Sequence, residues 1–331
     1  MMNEPNMGGQ NPEDWVRRPS LLAASGMYLF AQMGMVILSL LLNLAAYAFP
    51  PLAQPMMWMA VSTLLIELLL MGAPPLQYAR SHPGVERAYR FNRLGLARGV
   101  LIVLMAGVAV VLANNAGTLW IALLQGLGLT VYGSTTPSAA NLTELVFQLI
   151  FVGALPGICE ELMFRGVMLP AFERRGRMYG VVVSAALFAL MHGSVSGLPV
   201  HFGLGVLMGL MAVRLDSLYA PMVFHIGYNS LAVMLDYALG GSDGSGAAMV
   251  NVVGALGAEG MVALVLQTAM SGALMYVLWR MTVSLCPPES PRPQTPDRTR
   301  MGWQTLLVLL VALLTAGLNY GLDLAHMAGL Y

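Results

Sequence analysis

Apolar runs of membrane-crossing length recur along the chain from residue 21 to residue 322, with no soluble block between them. A helix needs about 20 mostly apolar residues to cross a bilayer, and fewer where neighbouring helices submerge it. On that measure the pattern predicts nine helical spans, over 21–48, 56–78, 96–113, 142–170, 178–193, 199–213, 218–239, 261–279 and 303–323. The first run follows Arg17-Arg18 like a secretory signal. A signal's apolar region covers only about 7–15 residues, however, so an anchor is expected. Segment 118–133 is apolar enough for a further span, and 249–260 is an apolar run broken by Gly254, Gly257 and Gly260. Both are expected to lie in the interface or to re-enter the membrane.

The positions of the basic residues orient this arrangement. The chain has no lysine, and all of its 16 arginines but Arg165 fall before, between or at the edges of spans. Arg17 and Arg18 precede the first span. Arg80, Arg87, Arg90, Arg93 and Arg98 separate the second from the third. Arg174, Arg175 and Arg177 follow the fourth, Arg214 the sixth, and Arg280, Arg292, Arg298 and Arg300 the eighth. With nine spans every one lies on one side, which the positive-inside rule makes cytoplasmic. A tenth span at 118–133 would move Arg174–Arg177 across. The expected organisation is a cytoplasmic tail 1–20, N-terminal helices with an outer interfacial segment over 21–141, a core over 142–239, and C-terminal helices over 240–331. A cytoplasmic linker at 280–302 lies within the last of these. The N-terminus is expected inside and the C-terminus outside.

Composition agrees with this reading. Hydrophobic residues make up 57% of the 331, charged residues 10%, and mean hydropathy is +0.71. Soluble domains carry about 25% charged residues. A secreted globular protein and a disordered chain are excluded, and zero net charge argues against a nucleic-acid partner. The fold class is an all-α polytopic membrane protein, a bundle of about eight or nine transmembrane helices around a buried polar site. Two cysteines, Cys159 and Cys286, offer no disulfide framework.

The polar site is read from residues that cost free energy where they stand. Ionisable side chains within spans are expensive and functional by default. Here they gather on three helices: Glu160, Glu161 and Arg165 on the fourth span, His192 at the end of the fifth, and His225 and Asn229 on the seventh. Counted from the nearest cytoplasmic arginine at 1.5 Å per residue, Glu160, His192, His225 and Asn229 lie roughly 21, 22, 16 and 22 Å deep. One slab holds them all. Neighbours on a helix point about 100° apart, so Glu160 and Glu161 are expected to face different partners. Glu161 and Arg165 stand at i, i+4 with the acid first, the favourable order for an ion pair, which leaves Glu160 to the histidines.

Glu160-Glu161-x-x-x-Arg165, Phe188-x-x-x-His192 and His225-x-x-x-Asn229, in this order on successive apolar segments, resemble the CPBP family of CAAX prenyl endopeptidases and bacteriocin-processing or immunity membrane proteins. The resemblance covers roughly residues 142–239 and leaves the flanks unmatched. It implies a glutamic-type intramembrane endopeptidase in which Glu160 and His192 activate water, while His225 and Asn229 stabilise the oxyanion. It further implies a membrane-associated or lipid-modified protein or peptide as substrate. The physical reading runs the same way: a carboxyl group and an imidazole can hold and deprotonate water, and N–H donors in a water-poor site stabilise a tetrahedral intermediate.

Three other readings stay open. His192, His225 and Glu160 form a His2Glu set that some zinc proteases use, although no His-Glu-x-x-His helix is present and no carboxylate but Asp236 lies near to orient the histidines. Without zinc, no cofactor is expected. The cluster would also serve as polar glue in a non-catalytic immunity or chaperone protein. Glu67, His201 and the cluster could line a proton path, but there is no internal repeat of the kind that marks many transporters. The turn at 193–199 is expected to dip inward beside His192. Absent lysine with abundant Ala, Gly and Arg points to a GC-rich bacterial genome and its cytoplasmic membrane. True prenylated substrates are not expected there, which favours precursor peptides or sorting tails.

Overall fold

The computed structural model describes residues 17–132, 137–240, 251–285 and 301–330. Cys286 and most of the expected cytoplasmic linker lie outside the described residues, as does the N-terminal tail up to residue 16. Among the described residues nine long helices pack as a bundle: α1 (Leu21–Ala48), α2 (Pro55–Ser81), α3 (Leu96–Gly126), α4 (Leu142–Arg175), α5 (Arg177–Met191), α6 (Leu198–Arg214), α7 (Tyr219–Ala238), α8 (Val252–Ser284) and α9 (Trp303–Met327). Six of them, α1 to α4, α8 and α9, are long and apolar enough to cross a membrane. Helices α5 and α6 are apolar but only 15 and 17 residues long.

Local chemistry sets the helix ends. Ser20 Oγ accepts from Ala23 N at 3.0 Å to start α1, and Asn141 Oδ1 accepts from Glu144 N at 3.0 Å to start α4. These side chains satisfy amides that a first turn leaves without carbonyls. Gly95 and Gly176, at φ 79° and 129°, turn the chain just ahead of α3 and α5. Inside α2 and α4 the backbone widens to π-type turns at Ile66–Gly72, Leu149–Ala154 and Leu162–Met168. Each widened stretch runs into a proline: Pro74, Pro156 or Pro170. Proline donates no amide and its ring crowds the preceding turn, so the extra residue per turn makes room for it.

One boundary moves: the helix read as 96–113 is α3, which continues unbroken to Gly126, a length of about 46 Å at 1.5 Å per residue, so residues 118–126 are not a separate segment. The polar stretch 114–118 is only partly satisfied within this helix, Asn115 Nδ2 being buried without a hydrogen-bond partner. Thr118 Oγ1 donates to Asn114 O at 2.8 Å, and Asn115 is buried. The run near 249–260 divides differently too: α8 starts at Val252, with Asn251 as its cap, and kinks at Gly257 (φ 61°, ψ −173°).

Arginine-bearing ends of several helices meet at one end of the bundle. Arg90 Nη2 donates to Glu173 Oε2 at 2.5 Å, Arg18 lies 3.9 Å from the same oxygen, and Arg90 Nε is 3.4 Å from Asp216 Oδ1. Arg174 Nη2 donates to Arg18 O at 2.7 Å, and Asn92 Nδ2 to Asp216 O at 2.8 Å. The segments before α1 and α3, the end of α4 and the α6–α7 turn are thereby tied together.

The approach of α7 to α4 decides where the polar residues meet. Gly153 and Gly157 form a small-xxx-small pair on α4, the pattern that lets two backbones come close. A Cβ at Gly157 would stand 2.9 Å from Ile226 N, and one at Gly153 would stand 2.6 Å from Ser230 Oγ. His225 and Asn229 are the residues immediately before those two. Gly157→Ala is therefore expected to destabilise the protein by about 1–3 kcal/mol through overpacking. Gly203→Ala, where an added methyl meets nothing within 4 Å, should be neutral or slightly stabilising. Melting of the two variants in detergent checks the difference.

Candidate active site

Glu161 and Arg165 stand at the centre of the bundle with no side-chain exposure, and Arg165 Nη1 donates to Glu161 Oε1 at 2.7 Å. The guanidinium reaches two further helices. Its Nη2 donates to Gly205 O of α6 at 2.9 Å, and its carbon sits 4.8 Å over the Phe188 ring of α5. The same Glu161 oxygen accepts from His225 Nδ1 of α7 at 3.0 Å. One carboxylate and one guanidinium thus join α4, α5, α6 and α7.

Glu160 occupies the adjoining side of α4. Its Oε2 is 3.9 Å from His225 Nε2 and is buried without a hydrogen-bond partner. The expectation that the two glutamates could not share a neighbour is therefore corrected. His225 offers nitrogens on two edges of its ring, and each edge faces one carboxyl group. A second correction follows: a carboxylate does orient one of the histidines, and it is Glu161, not the exposed Asp236.

His192 ends α5. Its Nδ1 lies 2.9 Å from Phe188 O. A carbonyl only accepts, so Nδ1 carries the proton and Nε2 keeps its lone pair. The ring stacks on His201 at 3.8 Å between centroids, which brings His201 into the site. Asn229 Nδ2 donates to Val152 O at 3.0 Å, the carbonyl lying in the widened Leu149–Ala154 turn.

Glu160, His192, His201, His225 and Asn229 all line one cavity of about 210 Å³, whose other walls include Val152, Pro156, Leu204, Met208 and Phe224. That is space for several waters beside an apolar surface. Glu67 is buried with Oε2 unpartnered but is not part of the cavity wall. Cys159 packs against Gly72 between α4 and α2. Among the described residues no group of three or more His, Cys, Asp or Glu is disposed to hold a metal ion.

Comparison with known proteins points to the same stretch of chain. Residues 142–231 match the family model described as type II CAAX prenyl endopeptidase Rce1-like. This match supports the resemblance of the central part of the chain to the CPBP family. The membrane-embedded CAAX protease MroQ of Staphylococcus aureus (strain USA300) is 29% identical to this chain over 93 residues. That alignment covers 26% of this chain and 38% of the relative's length. No solved structure matches significantly. The matched segment contains every polar residue that lines the cavity, whereas α1 to α3, α8 and α9 lie outside it.

Sequence reasoning missed Phe188 as a platform for the guanidinium and Gly205 as its acceptor. A carbonyl's role leaves no mark on the residue type. Removing Arg165 tests the centre directly. Arg165→Leu strands the Glu161 charge and is expected to cost about 3–5 kcal/mol. Glu160→Gln, which breaks no bond in the structure, should melt close to the parent. Equal melting of the two variants in detergent would contradict the pair's role.

Proposed function

We propose that the chain is an intramembrane endopeptidase of the glutamic type, with Glu160 and His192 activating water and His225 and Asn229 stabilising the oxyanion. The observation that carries this reading is the meeting of these four side chains in one cavity, with the Glu160 carboxyl unpartnered there. Water held between Glu160 and His192 Nε2 donates one hydrogen to each and turns its oxygen lone pair to the scissile carbonyl carbon. As the carbon–oxygen bond forms, Glu160 takes the proton. The carbonyl π electrons move to its oxygen, which accepts from the Asn229 amide and from His225 in its doubly protonated form, with Nδ1–H on Glu161 and Nε2–H on the oxyanion. Collapse of the tetrahedral intermediate breaks the carbon–nitrogen bond, and Glu160 returns its proton to the leaving amine. The apolar walls suit a membrane-associated or lipid-modified protein terminus. The arginine-rich end is read as cytoplasmic, which puts the N-terminus inside and the C-terminus outside a bacterial membrane.

A zinc-dependent reading is second, and one observation favours it. His225 donates Nδ1 to a carboxylate and His192 donates Nδ1 to a carbonyl, the way metal-bound imidazoles are commonly held. We place it second because Asn229, an amide of little use to zinc, shares the His225 face one turn on and opens on the same cavity. The test compares protein termini in membranes that contain the parent, Glu160→Ala or His192→Ala. Termini produced by the parent should vanish in both variants, a rate loss of about 10²-fold or more. Both proteins should melt as cooperatively as the parent. Full activity of Glu160→Ala would overturn the assignment. Activity lost to a chelator and restored by zinc would move Glu160, His192 and His225 to ligand roles.

A further inference from the structure

His192 is the least supported member of the site. The residue is exposed, and its ring contacts are Phe188, edge-on at 4.8 Å, and His201, stacked at 3.8 Å. Its direction depends on how α5 ends and on the half-buried turn 193–197 that follows. Two helices outside the matched segment hold that turn. Tyr320 of α9 donates its hydroxyl to Ala189 O at 2.8 Å, the carbonyl that also accepts from His192 N at 3.2 Å. One turn further along α9, Asp323 Oδ2 accepts from Val195 N at 2.7 Å. From the other side Trp120 Nε1 of α3 donates to Val195 O at 3.0 Å. The reversal itself needs Gly193 at φ 63°, and an added Cβ there would lie 3.8 Å from Asn319 of α9. The Val195 backbone is thus gripped at both its N–H and its C=O, and the last turn of α5 is bonded to the same face of α9.

We propose that Tyr320 and Asp323, with Trp120, are positioning residues for His192: they hold the end of α5 and the 193–197 turn so that Nδ1 stays on Phe188 O and Nε2 stays free for the cavity. The consequence for catalysis rests on the reading of His192 as a water-binding residue. The positioning itself does not, and it is measured without substrate.

The chain has five histidines, so ring-¹⁵N histidine spectra of the full-length protein in detergent are tractable. His192→Gln assigns the signal. The parent should show His192 as the neutral Nδ1–H form, opposite to the tautomer that free imidazole favours in water. Tyr320→Phe combined with Asp323→Ala should shift that signal to mixed tautomers. His82, at the arginine-rich end, should keep its signal and so report an intact fold. Asp323→Asn keeps an oxygen acceptor for Val195 N–H and should retain the parent pattern. If the double variant does not fold, each single variant is expected to show a smaller shift in the same direction. An unchanged His192 signal in the folded double variant, or in both single variants, would overturn the proposal. So would a parent His192 already in mixed tautomers. Loss of proteolysis as a function would leave these outcomes readable.

Discussion

A buried charge in a membrane bundle is tolerable only when a partner and hydrogen bonds replace much of its water, and the Glu161–Arg165 pair draws such contacts from four helices, with Glu161 Oε2 and Arg165 Nε left unpartnered. Breaking such a pair leaves one uncompensated charge, so the four helices that supply its contacts share a single energetic fate. The pair also has a directional effect. Because Glu161 Oε1 takes Nδ1–H of His225, the opposite ring edge is turned to Glu160. The structural glutamate therefore aims the histidine that the chemical glutamate works beside.

Two backbone devices make this geometry reachable. Gly153 and Gly157 bring α7 against α4 closely enough for Asn229 to bond a main-chain carbonyl, and an added Cβ at Gly157 would crowd the Ile226 backbone at 2.9 Å. Proline-linked widening on both sides of Cys159-Glu160-Glu161 changes the pitch of α4 and frees main-chain acceptors such as Val152 O. Irregular backbone at membrane depth is tolerated where it lines a cavity, and one of these widened turns does. The flanking helices then finish the site from outside, through the α9 and α3 contacts to the turn after His192.

Much of this was legible in the chain because apolar runs carry their own length scale. The bounds read for the first span coincide with α1, and the ordered Glu, His and Asn positions all open on one cavity. What escaped reading depended on satisfaction between side chain and backbone. The length of α3 escaped for another reason: arginine sidedness sets 118–133 apart as a separate segment, yet α3 simply lengthens to Gly126 as one helix. The shared histidine escaped because helical angles treat each side chain as a point, whereas an imidazole offers two directions. Asp323, near the end of α9, reaches a backbone amide 128 residues away. No spacing rule connects such positions.

The claim that one buried pair organises the bundle is tested most directly by a double-mutant cycle on Glu161 and Arg165. Glu161→Leu, Arg165→Met and the combination would be compared by reversible unfolding in detergent. The account predicts strong coupling: each single variant loses several kcal/mol, while the double variant, with no stranded charge, recovers a large part, a coupling of about 3 kcal/mol. Additive losses within about 0.5 kcal/mol would contradict it, because the two residues would then be acting independently.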